Sequence, residues 1–174
     1  MRLFIAIDFS EMQDYFFQIQ KEFSKGAGLS LAKTFHLTLK FLGNVETEKI
    51  QKITDAISAI ECKKFSVSLD SIGMFPDEKY IRVLWVGLKP EDEIIKLQKL
   101  IDGSLKRIFK PEKDFKPHIT LARVKSIQNK LSFIDKLKNI KVENKEIHIK
   151  NFKLVKSASN PKGAIYEDLE VFEL

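Results

Sequence analysis

The sequence predicts an α+β fold in two lobes, with two mostly antiparallel β-sheets facing a central cleft and helices on the outer faces. Three observations predict it. Segments with strand and helix periodicity run strand, helix, strand, helix, strand, and that order then repeats. A His-x-Thr unit falls on the middle strand of each round, His36 and Thr38 in FHLTLK and His118 and Thr120 in PHITLA, 82 residues apart (118 − 36). No linker rich in Gly, Pro or Ser separates the rounds, so residues 1–174 read as one bilobal domain with approximate halves 1–76 and 77–174. The matched order of elements and the matched place of the His unit point to an internal duplication.

Each element has its own signal. RLFIAIDF reads as the opening strand, and a helix follows in which Ser10 and Gln13 stand at capping-box spacing and Gly26 marks the end. FHLTLKFL is the first His strand. Ile50, Ile53, Ile57 and Ile60 then recur at helical spacing, and FSVSLDSIGMF closes the half as a strand. The second half opens with the strand IRVLWVGL and a helix from Pro90 whose face is Ile94, Leu97, Ile101, Leu105 and Ile108. HITLARV is the second His strand. A shorter helix with Ile127, Leu131, Ile134 and Leu137 follows, then the strands EIHIKNFKLV and AIYEDLEVFEL.

Composition narrows the function classes. A chain with 44% hydrophobic and 31% charged residues is globular rather than disordered. The apolar run after Met1 is too short for a signal peptide or a membrane span, which points to a cytoplasmic protein with no membrane partner. One cysteine, Cys62, permits no internal disulfide and has no ligand-spaced neighbour, so it reads as a spectator. A net charge of +6 suits a polyanionic partner such as RNA, although the lysines are spread along the chain.

The His-x-Thr strands carry the chemistry. Side chains at i and i+2 share a strand face, so each strand offers one imidazole and one hydroxyl to the cleft. Leu37, Leu39 and Phe41 then fall on the back of one strand, and Ile119 and Leu121 on the back of the other. A lone histidine in an apolar strand is ordinarily structural, but two of three histidines carry Thr at +2 in a chain with only five threonines. The third, His148, has Lys150 there and serves as an internal control. Neither motif supplies a second good metal ligand, so no metal and no cofactor is expected. A threonine nucleophile would give no reason for duplication. Two opposed imidazoles suit paired general acid and general base work, as in-line cleavage of a phosphodiester requires. The threonines and a cation would then hold the non-bridging oxygens. Arg123 is the natural cation, yet its odd offset from His118 puts it on the wrong face unless the strand twists, bulges or ends near Ala122. Lys40 has cleft parity but reads as a solvated strand-end lysine. Trp85 and the phenylalanines read mainly as core.

These residues resemble the 2H phosphoesterase superfamily, in particular the bacterial and archaeal RNA 2′,3′-cyclic phosphodiesterases historically called 2′-5′ RNA ligases. The resemblance takes in RLFIAI, HLTLKFLGNV, GMFPDEKYIRVLWVGL, FKPHITLARVK, and Ser157, Gly163 and Tyr166 near the end. It implies a bilobal fold with a central cleft and hydrolysis of RNA 2′,3′-cyclic phosphate ends to 2′-phosphates without a metal; a monomer is expected, with tRNA-like fragments among the RNA partners. His36 would be the proton donor and His118 the proton acceptor, with Thr38, Thr120 and Arg123 on the phosphate. Thr34 and Phe35 depart from the Asn and Leu the branch often shows before the first His, a change expected to touch base contacts. Action on another cyclic phosphate or a 2′-5′ linkage, and a non-catalytic RNA-binding module, stand as alternatives.

Overall fold

The computed structural model describes residues 1–160 and 163–174. Along them run β1 Arg2–Asp8, α1 Gln13–Phe23, β2 Ala27–Leu31, β3 His36–Asn44, α2 Ile50–Ser58, β4 Phe65–Asp77 and β5 Tyr80–Lys89. Then follow α3 Asp92–Leu105, β6 Ile119–Ile127, α4 Lys130–Asn139, β7 Glu146–Ile149, β8 Asn151–Asn160 and β9 Gly163–Glu173. The strands form two sheets, ordered β3-β1-β8-β9 and β2-β6-β5-β4-β7. Every neighbouring pair is antiparallel. The α+β class and the two antiparallel sheets are as the sequence indicates.

Laid one on the other, the sheets correspond as β3-β1-β8 and β6-β5-β4. Each holds its His strand beside the strand that opens the same round, but takes its third strand from the other round. The helices cross in the same way. α1 packs on β6 and α4, whereas α3 packs on β3 and α2. The lobes are therefore interleaved rather than equal to the sequence halves, and one continuous apolar core runs behind both sheets. Phe4, Ala6 and Val155 form a small separate cluster on the opposite face of the first sheet.

Local chemistry explains where the elements differ from their sequence signals. Ser10 does not cap α1 with its side chain. Its backbone N–H and hydroxyl donate to Asp8 Oδ1 and Oδ2 at 2.9 and 3.0 Å, which opens a 3-10 turn over Ser10–Met12 before the α-helix starts at Gln13. α4 is capped by Asn129, whose Oδ1 accepts from the Ser132 N–H, and it buries Phe133, Ile134 and Leu137. Leu131 is 80% exposed, and Ile127 ends β6 instead of joining the helix. β2, AGLSL, carries too little apolar pattern to be read from sequence. EIHIKNFKLV divides at Lys150, where the chain leaves the edge of the second sheet and enters the middle of the first.

Candidate active site

β3 and β6 carry the same burial sequence from their histidines onward. His36 and Thr38 are half-buried, Leu39 and Lys40 are both buried, and Phe41 is exposed; His118 and Thr120 are half-buried, Leu121 and Ala122 both buried, and Arg123 exposed. Two consecutive buried residues break strict alternation at the same place in each strand. The cause is a β-bulge. On β3 the pairing with β1 passes from Thr38 to Lys40 and skips Leu39, and on β6 the pairing with β5 passes from Thr120 to Ala122 and skips Leu121. An extra residue reverses the facing of all that follow it.

The bulges decide two positions, Arg123, which strand parity had left in conflict, and Lys40, which parity alone had put on the cleft face. Arg123 is turned to the groove side, where it shares a wall with His118 and Thr120. Lys40 is turned inward and is only 2% exposed, so it is neither a groove residue nor a solvated one. Its ammonium pairs with Asp102 of α3 and donates to the Lys110 carbonyl at 2.8 Å. Phe41 takes the place equivalent to Arg123. It lies on the groove and not on the back face, and is 64% exposed. The β6 bulge is also tied from behind, because buried Gln20 of α1 donates to the Leu121 carbonyl at 2.8 Å.

A groove of about 460 Å³ lies between the sheets, within the size range of small-molecule sites. His36, Thr38, His118, Thr120 and Arg123 all line it, as do Ser157, Gly163 and Tyr166. Arg2 and Lys33 add positive charge. His148 lies elsewhere, on β7, with its Nδ1 2.6 Å from Ser66 Oγ. Trp85 is not on the wall but stands beside His118.

Each imidazole packs against two aromatic rings that also touch each other. His36 has Phe4 and Tyr166 with centroids 5.0 and 5.1 Å away, and His118 has Phe75 and Trp85 at 4.9 and 6.0 Å. Gly73 makes room for that indole, since a Cβ there would fall 2.1 Å from Trp85 Cζ2. Burial among the rings depresses both imidazoles. His36 is pushed down to about 4 by burial, opposed by the Asp8 carboxylate and assisted by the charge of His118. His118 is lowered by burial and partly restored by its hydrogen bond to the Lys116 carbonyl. That carbonyl can only accept, so at 2.7 Å Nδ1 of His118 carries the proton and Nε2 keeps its lone pair.

The two sides differ in their charged neighbours. Asp8 stands opposite His36 in the β1–β3 register. Its carboxyl is held below the usual carboxylate range despite burial, by hydrogen bonds from Lys153 and Ser10. Lys153 bridges Asp8 at 3.0 Å and Asp168 at 2.7 Å, and these contacts raise its own pKa against burial. Sequence reading missed Phe4, Asp8, Phe75 and Lys153 as neighbours of the site. The signal for two of them was present: in RLFIAID, Phe4, Ala6 and Asp8 share one strand face.

Two antiparallel sheets from a repeated chain, each bringing a His-x-Thr strand to one groove, define the two-lobed phosphoesterase class. The chain belongs to the LigT-like phosphoesterase family, whose model matches it twice, over residues 7–85 and 86–166. It is 39% identical over 171 residues to the RNA 2′,3′-cyclic phosphodiesterase of Methanocaldococcus jannaschii, covering 96% of this chain and 97% of that protein. With the protein of the same name from Archaeoglobus fulgidus it shares 35% identity over 178 residues, 99% of this chain and all of the other. Among solved structures it resembles a Thermus thermophilus protein with a TM-score of 0.80 and 28% identity, covering 100% of this chain and 98% of that one. E. coli LigT complexed with 3′-AMP matches with a TM-score of 0.75 and 25% identity, over 99% and 97% of the two chains. No helix among the described residues is long and apolar enough to cross a membrane.

Proposed function

We propose that this chain hydrolyses RNA 2′,3′-cyclic phosphate ends to 2′-phosphates by metal-independent acid–base catalysis between two histidines. The observation that carries the reading is the repeated strand frame, which gives one groove two imidazoles, two hydroxyls and one guanidinium. Relatives of matching length named RNA 2′,3′-cyclic phosphodiesterase support the substrate class. A neutral His118 with its proton on Nδ1 uses Nε2 to take a proton from water, and the resulting hydroxide oxygen bonds to phosphorus. The bond from phosphorus to the 3′ oxygen breaks opposite it, and His36 delivers its proton to that oxygen while the 2′ ester stays intact. Thr38, Thr120 and Arg123 hold the non-bridging oxygens as charge builds on them.

Asp8 supports the direction of transfer. It is the carboxylate facing His36, and it favours the imidazolium there, whereas His118 faces a neutral carbonyl. The negative charge of a bound phosphate adds to this and raises a proton affinity that burial alone would hold too low. Residues of both sequence halves meet in the groove, so the chain works as one bilobal domain and its site is complete in a monomer. An RNA substrate and a chain without disulfides suit the cytoplasm. The test is hydrolysis of a nucleoside 2′,3′-cyclic phosphate in EDTA with analysis of the product. A 2′-phosphate is expected, and dependence on added metal or a 3′-phosphate product would refute the scheme.

A further inference from the structure

A second cavity, of about 140 Å³, opens off the groove behind His36. Phe4, Thr34, His36 and Tyr166 border both spaces. Its floor is apolar, made by Ala6 and Val155, which with Phe4 form the small cluster apart from the main core. Its rim is polar. Asp8 and Asp168 meet there on the Lys153 ammonium, beside Gln13 at the start of α1. The proton transfers use only the field of Asp8, and they leave this floor and rim without a role.

We infer that this cavity holds the nucleobase of the nucleotide whose 3′ oxygen departs. The inference rests on the proposed hydrolysis and deepens it. In-line displacement places water and leaving oxygen on opposite sides of phosphorus. With water at His118, the 3′ oxygen and its ribose lie at His36, and the base carried by that ribose lies on the same side. An apolar cavity of about 150 Å³ is known to admit one benzene-sized ring. The floor and the Phe4 and Tyr166 rings suit the faces of a flat heterocycle. The rim suits its edge, because carboxylate oxygens accept from ring and amino N–H groups while Lys153 and the Gln13 amide donate. Two carboxylates against one ammonium leave this rim net negative, which argues against a second phosphate as the occupant and for a neutral base.

Calorimetric titration of uridine and cytidine 2′-phosphates, whose bases are single rings, against ribose 2′-phosphate tests this directly. In the unsubstituted protein the nucleotides bind about tenfold tighter or more. Val155→Phe, which fills the floor without touching the groove, removes that advantage and leaves ribose 2′-phosphate binding unchanged. Equal binding of nucleotide and ribose phosphate to the unsubstituted protein, or an advantage that survives Val155→Phe, would overturn it. Asp168→Asn, at an exposed rim position, provides a variant that does not disturb packing. It changes the relative affinities of the four nucleoside 2′-phosphates by about threefold or more, as gain or loss of one hydrogen bond does, and an unchanged order contradicts the edge contacts. Base-dependent binding in a protein that turns over no cyclic phosphate would support the cavity while removing the hydrolysis it serves, so the two failures are distinguishable.

Discussion

Around His36 the chain has placed a carboxylate, an ammonium and a second carboxylate; around His118, at the matching point of the matching strand, it has placed a backbone carbonyl, an indole and a guanidinium. The backbone frames are alike down to the skipped residue, Leu39 in one strand and Leu121 in the other. The side chains that complete them are not. A shared frame fixes where two imidazoles sit, and it is on the unlike neighbours that the proposed scheme rests its division of roles, with His36 giving a proton and His118 taking one. The same division appears three residues past each threonine, where the bulge delivers an exposed phenylalanine on one side and an arginine on the other.

Breaking either half of the comparison at its histidine has the largest effect. His36→Ala and His118→Ala each lower kcat for a nucleoside 2′,3′-cyclic phosphate by about 10² to 10⁴, and the double variant loses far less than the product of the two. Arg123→Ala comes next, with a loss of about 10² in kcat/KM. Phe41→Ala, at the equivalent position, changes KM for nucleotides far more than kcat, so steady-state kinetics of the pair separate a charge contact from an apolar one.

Asp8→Asn tests the asymmetry itself. Both imidazoles lie below their ordinary 6.5 in the free protein, so both limbs of the kcat/KM profile fall below that pH. Removing the carboxylate destabilises the His36 imidazolium, lowers its pKa further and moves its limb to more acid pH. At pH 7 the reactive protonation state becomes rarer, and kcat/KM drops about tenfold for each pH unit by which that limb moves. A profile that Asp8→Asn leaves in place would mean that the carboxylate does not govern the donor. The smallest effect on rate comes from Lys40. Lys40→Ala leaves Asp102 without its buried partner and lowers unfolding stability by about 3 kcal/mol in denaturant titration, and Lys40→Met with Asp102→Leu restores much of it.

Much of this was legible in the chain because strand periodicity is local. The His-x-Thr units, the two rounds of elements and the faces of α2 and α3 follow from spacing alone. The exchange of strands and helices between the lobes was not, since nothing local in FSVSLDSIGMF or FKLVKSAS states which sheet will receive it. The bulges were half legible. Arg123 had the wrong parity for a groove residue, and that conflict located an irregularity near Ala122. On the other strand Lys40 had the right parity and gave no warning, although the same irregularity carries it into the core. Asp8 was hidden differently. Its partner Lys153 is 145 residues away (153 − 8) and Asp168, which shares that ammonium, 160 (168 − 8), and only the fold brings them together.

The division of labour between the two histidines is tested most directly with a substrate that needs no acid. A nucleoside 2′,3′-cyclic phosphate with sulfur in place of the 3′ oxygen expels a thiolate, which departs without a proton, while its water still needs a base. With this substrate His36→Ala recovers to within about tenfold of the unsubstituted protein, and His118→Ala stays as impaired as it is with oxygen. Recovery of His118→Ala, or of neither variant, would contradict the assignment of donor to His36 and acceptor to His118.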